Sequence, residues 1–248
     1  MNLTYLEIDH ARDGYDALTD TTRSAFRDRL RLCWLYHEHA LDGVALSRDE
    51  IDRALADKPS RNYVDAQTMG SVRRLDQTIR TIRDAADARA ELSVEWLRAL
   101  HAHLCADGDE AAGAFRDRDT SPGVYNLDVA DSEEISSRLE AFVARWHDEW
   151  SRQHPVRAGA LAHWEFMHIF PFDERTGMVG RLMLNFLLLR EDYPPATFHA
   201  MRRHDYFQAL RSNRPDMVPV VVDAVRATIE AAESIDDDTP AVAFDGVS

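Results

Sequence analysis

Apolar residues recur along most of the chain at intervals of three and four, the spacing that lines one face of an α-helix. Over residues 21–42, Phe26, Leu30, Cys33, Trp34 and Leu41 follow that spacing; over 62–87, Val72, Leu75, Ile79 and Ile82 do. Residues 93–105 turn Trp96, Leu97, Leu100 and Leu104 inward. A helix over 133–152, with Asp131 placed to cap it, sets Leu139, Phe142, Val143, Trp146 and Trp150 on one side. Ser47-Arg-Asp-Glu50 has the hydroxyl-to-carboxylate spacing of a capping box and opens a helix running through Ala56. Further helices are predicted over 156–169, 177–190, 203–212 and 215–234. The stretch 106–130, rich in Gly, Asp and Pro, breaks the rhythm. A short β-hairpin is predicted there, pairing Arg116–Thr120 with Val124–Val129 around a Ser-Pro-Gly turn. The pattern gives an all-α fold with one hairpin flap near 116–129. With no internal repeat and no dividing linker, 1–234 reads as a single domain, and the acidic, aperiodic 235–248 as a flexible tail.

Composition narrows the function classes. Hydrophobic residues are 45% of the 248, enough for a sizeable core, and no apolar run reaches the roughly 18 residues of a membrane span. The first residues, MNLTYLEIDHARDGYD, carry charges where a secretion signal needs an apolar stretch, so a cytoplasmic protein with no membrane partner is expected. The net charge of −15 repels phosphate backbones on average, which argues against nucleic acid as a partner. Cys33 and Cys105 stand in separate apolar helical patterns and read as buried free thiols.

Candidate chemistry concentrates in His168-Ile-Phe-Pro-Phe-Asp-Glu-Arg-Thr-Gly-Met-Val-Gly-Arg-Leu-Met-Leu-Asn185. Phe170–Gly177 joins two helices, with Thr176 as the expected N-cap of the second and Gly177 allowing its backbone close to a ligand. Unpaired N–H groups and partial positive charge make a helix N-terminus a seat for anions. Arg181, one turn in, opposes the helix dipole, which calls for a negative partner beside the loop. That partner is either a phosphate or an internal carboxylate such as Asp173, Glu174 or Asp42.

This arrangement resembles the Fic family, known for transferring AMP or related phosphate-linked groups to protein hydroxyls. The family motif runs His-Pro-Phe-x-Asp/Glu-Gly-Asn-Gly/Lys-Arg-x-x-Arg, and Pro171, Phe172, Glu174, Gly177 and Arg181 match it. The flanks ALAHWEFMHI and GRLMLNFLLLREDYPP, Gly113-Ala-Phe-Arg116 ahead of the family's substrate-aligning flap, and His204–Leu210 extend the likeness over roughly residues 30–232. The resemblance implies a Fic-type helical bundle, with Glu174 as a Mg²⁺ ligand and Thr176, Gly177 and Arg181 around the phosphates of a nucleotide such as ATP. It also implies a protein target laid along the flap.

Four motif positions depart. Phe170 stands in the place of the catalytic histidine, Arg175 in that of a glycine, Thr176 in that of the asparagine and Met178 in that of the first arginine. A benzyl ring accepts no proton, and losing a general base costs about 10²–10⁴ in rate, so ordinary AMP transfer is not expected. Asp173 is the candidate substitute base, on the expectation that packing against Phe170 and Phe172 raises its pKa; Tyr125 and Tyr206 are candidates to line the cleft. His168 is expected to point away from the loop, and His163 to be structural. Glu38-His-Ala-Leu-Asp42-Gly43, within the N-terminal 1–60, lies where the family carries an inhibitory glutamate helix, so Glu38 and Asp42 are candidates for a brake-like contact with Arg181. Asp42 can alternatively end its helix, with Gly43 left-handed. Two functions remain open: a diverged transferase with altered chemistry, or a pseudoenzyme that binds a nucleotide or a protein.

Overall fold

The computed structural model describes residues 3–234; the predicted tail at 235–248 lies outside them. Among the described residues the regular structure is all helical: α1 (Leu3–Asp16), α2 (Asp20–Leu41), α3 (Arg48–Leu55), α4 (Tyr63–Asp87), α5 (Val94–Leu104), α6 (Ile135–Asp148), α7 (Pro155–Ile169), α8 (Thr176–Arg190), α9 (Arg203–Arg211) and α10 (Met217–Glu233). Short 3₁₀ turns at Ser132–Glu134, Trp150–Arg152, Ala200–Arg202 and Arg214–Asp216 lead into α6, α7, α9 and α10. No helix among them is long and apolar enough to cross a membrane.

Helix α8 is the axis of the bundle. It is apolar on nearly every side, and a helix of that kind must be buried all round; residues 176–188 are all buried, beneath α4, α5 and α7. The close approach of α7 to α8 depends on two glycines: a Cβ on Gly159 would lie 2.8 Å from Leu184, and one on Gly180 would lie 3.0 Å from the Met167 sulfur. Asn185 ties the following loop to the axis, donating to the Ala196 carbonyl (3.2 Å) and accepting from its N–H (2.8 Å).

The helical periodicity is realised within a few residues at each end. The Ser47/Glu50 capping box is present in both directions, and Asn62 and Ser93 cap α4 and α5. Asp131 makes no side-chain cap; Asp119 accepts from the Ser132 N–H instead (2.7 Å). Cys105 is buried, Cys33 only half so, and both are free. Helix α1 is a segment that the periodicity reading left without structure. Its buried Ile8, with Tyr5, Ala11 and Tyr15 packed beside it, does keep a three-and-four spacing, but between charges.

The hairpin flap predicted at 116–129 is not formed: no strand occurs there. The reason lies in where its backbone bonds go. The Arg116 N–H donates to the Pro171 carbonyl (3.0 Å) and the Ala130 N–H to the His168 carbonyl (2.9 Å), so the backbones of the two ends pair with the α7–α8 connection and the last turn of α7 rather than with each other. The Arg116 guanidinium fills the gap between them, donating to the carbonyls of Phe170 (2.8 Å), Arg118 (2.8 Å) and Ala130. The tip is a tight turn in which the N–H groups of Tyr125 and Asn126 both meet the Pro122 carbonyl.

Candidate functional site

The α7–α8 connection is built by two left-handed residues. Phe170 ends α7 at φ 48°, and Arg175 precedes α8 at φ 60° without a side-chain cap. Thr176 is therefore the first residue of α8 rather than its N-cap. Its hydroxyl staples the loop, accepting from the Phe172 N–H (3.0 Å) and donating to the Phe172 carbonyl (2.9 Å). Phe172 stacks on the His101 ring at 4.0 Å, and the Phe170 ring is buried. With no cap and no intrahelical acceptors, the first amides of α8 face the space ahead of it.

Arg181 meets that space from below. It is fully buried; its Nε donates to Glu38 Oε2 (2.6 Å), its Nη2 to Asp42 Oδ1 (2.9 Å) and its Nη1 to the Tyr125 hydroxyl (3.2 Å). The last turns of α2 supply both carboxylates because residues four apart share a helix face. The negative partner that the sequence left open is thus internal in this form, and it is Asp42 together with Glu38. Burial works against the guanidinium charge, but Glu38, Tyr125 and Asp42 outweigh it and raise its pKa. Burial pushes the Glu38 carboxyl up against the pull of Arg181 and the Trp34 N–H, which bonds Glu38 Oε1 at 3.3 Å. Burial also pushes the Tyr125 hydroxyl up to about 12, which keeps its proton on; it donates to Asp42 at 3.2 Å.

A cavity of about 280 Å³ lies in front of the loop, lined by Asp42, residues 120 and 122–125, Phe170 and 173–177. Asp173 is exposed at its lip, not enclosed by Phe170 and Phe172, so the apolar packing expected to tune it as a base is missing. Glu174 is likewise exposed, and both carboxylates also border a second cavity of about 590 Å³ with His101 and Cys105. Tyr125 lines the first cavity; Tyr206 does not line it but is buried behind it, its hydroxyl 2.9 Å from His163 Nε2 and in contact with Arg181. Burial drives His163 down to about 3, and His168, stacked on Trp164 at 3.6 Å, lines a separate cavity with Asp128 and Val129, so neither presents a proton acceptor to the first cavity. His101 accepts the Gly113 N–H on Nδ1 (3.0 Å) and is buried and lowered to about 4, which closes the same role to it.

The donor set admits a hard cation only together with a ligand. Among the described residues no group of three or more His, Cys, Asp or Glu is arranged to hold a metal. Mg²⁺ is commonly held by one or two carboxylates plus substrate phosphates, which Glu174 at the lip fits. Sequence reasoning missed two parts of the site. One is Arg116, a single guanidinium serving several carbonyls; the other is the contact of Tyr125 with Gly177.

A helical bundle whose central helix starts from an aromatic-Pro-aromatic loop, with glycine in its first turn and a buried arginine beyond, defines the class. Residues 91–188 match the model of the Fic/DOC family. Over 226 residues it is 24% identical to the protein adenylyltransferase Fic of Drosophila virilis, a match covering 87% of this chain and 45% of that protein. The chain thus spans just under half the length of that relative. The crystal structure of a Fic domain containing signaling protein from Bacteroides thetaiotaomicron superposes with a TM-score of 0.80 at 18% identity, covering 96% and 99% of the two chains. A variant of IbpAFic2 in complex with adenylylated Cdc42 gives a TM-score of 0.51 at 16% identity, over 92% of this chain and 76% of that one. These structural likenesses show the fold.

Proposed function

We propose that this domain binds the phosphates of a nucleoside di- or triphosphate, with Mg²⁺, in the cavity before α8, from a resting form that its own side chains hold closed. The observation that carries the reading is Arg181: a fully buried guanidinium set beneath free helix amides and matched by oxygens of Tyr125, Glu38 and Asp42. Gly177 and Arg181 would hold the phosphates, and Glu174 the Mg²⁺, which supplies charge neutralisation at the phosphate oxygens. Thr176 contributes by fixing the loop, since its hydroxyl is spent on the Phe172 backbone rather than on a phosphate. With Phe170 in the base position, the domain does not carry out AMP transfer by the family's usual route.

The complex of the IbpAFic2 variant with adenylylated Cdc42 supports a protein ligand, which we seat along 117–130. No edge strand exists there for a target to extend, so contact would fall to side chains such as Val124, which is 60% exposed.

Thermal melting of the variant Glu38→Gln/Asp42→Asn/Tyr125→Ala against ATP, ADP, AMP and GTP with Mg²⁺ tests the reading. Ligand at 100-fold over Kd stabilises by about 2.7 kcal/mol, a rise of several degrees for a domain of this size. No shift with any of the four would overturn it.

A further inference from the structure

Two different obstacles stand between an anion and the start of α8, and they come from different parts of the chain. The carboxylates of α2 cancel the charge of Arg181. Tyr125 fills the space. A Cβ built on Gly177 would lie 1.7 Å from the Tyr125 hydroxyl oxygen and 2.7 Å from Cζ, so the phenol rests directly on the first turn of α8, closer than any other residue at 177 permits. Its oxygen accepts from Arg181 (3.2 Å), as a phosphate oxygen would, and donates to Asp42 (3.2 Å). Its ring meets the edge of Phe170 at 5.9 Å and of Phe207 at 5.3 Å. The benzyl group that removed the base therefore provides part of the apolar wall holding the phenol.

We infer that Tyr125 is a second closure of the site, separate from the α2 carboxylates: its hydroxyl occupies the place of a ligand phosphate oxygen, and the tip of the 117–130 segment lifts before the cavity admits a nucleotide. The inference rests on the phosphate-binding reading above. The segment is built to allow such a movement. It is pinned at Arg116 and Ala130, while the backbone bonds at its tip are internal, to the Pro122 carbonyl. Between the pins only Tyr125 and Leu127 are buried, and the adjoining Val124 is exposed. Neutralising Glu38 and Asp42 leaves the phenol in place, so that change alone does not open the seat.

Two experiments test this. Without ligand, hydrogen exchange by mass spectrometry over 120–127 compares wild type with Gly177→Ala, Tyr125→Ala and both together. The added methyl expels the phenol, so Gly177→Ala is expected to raise exchange about tenfold, to the level of Tyr125→Ala, with no further rise in the double variant. Wild-type protection in Gly177→Ala overturns the inference. With ligand, calorimetry of Mg·ADP compares wild type, Glu38→Gln/Asp42→Asn, Tyr125→Ala and the triple variant. The α2 pair is expected to bind within about threefold of wild type, and the triple variant at least about tenfold tighter than the pair. Equal affinity of the pair and the triple variant overturns the inference while the phosphate-binding reading stands. Absence of binding in all four overturns that reading, and the exchange comparison then decides the seating of Tyr125 by itself.

Discussion

Phe170 and Arg175 hold left-handed backbone at φ 48° and 60°, conformations that cost an L-residue with a side chain roughly 1–2 kcal/mol. At Arg175 the resembling motif has glycine, and the geometry explains why. Arg175→Gly should relieve the strain, offset in part by the freedom glycine gains in the unfolded chain, for a net gain of up to about 1 kcal/mol. A melting temperature raised by about 2–4 °C is the expected result; a fall would show that the Arg175 side chain contributes more than its backbone costs. Phe170→His returns a proton acceptor to the loop, but Met178 and Thr176 remain and Arg181 stays paired. Intact-mass spectrometry after incubation with Mg·ATP should find no added AMP, and an adduct would mean those losses are tolerated. At this scale the sequence was informative where chemistry follows from residue type and local spacing. Phe170 stands where the resembling motif has histidine, and Glu38 and Asp42, one turn apart, both reach Arg181. The seat of Tyr125 was not legible, because only the fold reveals that the glycine at 177 makes room for a phenol. Asp173 misled because nothing local says which side of a loop faces water.

Between helices, the α7–α8 connection and the 117–130 segment are held together largely through Arg116, which is 3% exposed and serves several carbonyls at once. Lysine keeps the charge but not the planar fork. Hydrogen bonds from charged donors contribute about 1.5–3 kcal/mol each, so Arg116→Lys should cost at least about 2 kcal/mol. Melting should fall by about 4 °C or more, with exchange rising across 117–130; an unchanged melting point would show these bonds to be dispensable. The missed hairpin has the same origin. Val124–Val129 has strand composition, but strand pairing is decided by available partners, and here both ends find theirs on the α7–α8 connection and the last turn of α7. The helices from α2 onward, whose bonds close within each segment, were readable to within a few residues.

Across the molecule, four buried histidines are held neutral by desolvation: His37 and His101 lowered to about 4, His163 to about 3, and His39 lowered as well. His199 adds to the effect at His37. Each folded value lies below the unfolded value of about 6.5, so the unfolded chain binds the extra protons. Their contribution is fully present above about pH 6.5 and is lost as pH falls towards 4, by up to about 1.4 kcal/mol per pH unit for each group. Melting followed from pH 7.5 down to 4.5 should decline progressively below about 6.5, and less steeply in His101→Gln. A profile flat to pH 4.5 would contradict the burial of these rings. The net charge of −15, by contrast, says nothing of Arg181, which is hidden inside with its own counter-charges.

The most direct measurement is a crystal structure of the Glu38→Gln/Asp42→Asn/Tyr125→Ala variant grown with Mg·ADP. The account predicts a phosphate oxygen within hydrogen-bond distance of the Gly177 amide and the Arg181 guanidinium, in the space left by the phenol. Density for the nucleotide elsewhere, or that space filled by protein or solvent at saturating Mg·ADP, would contradict it.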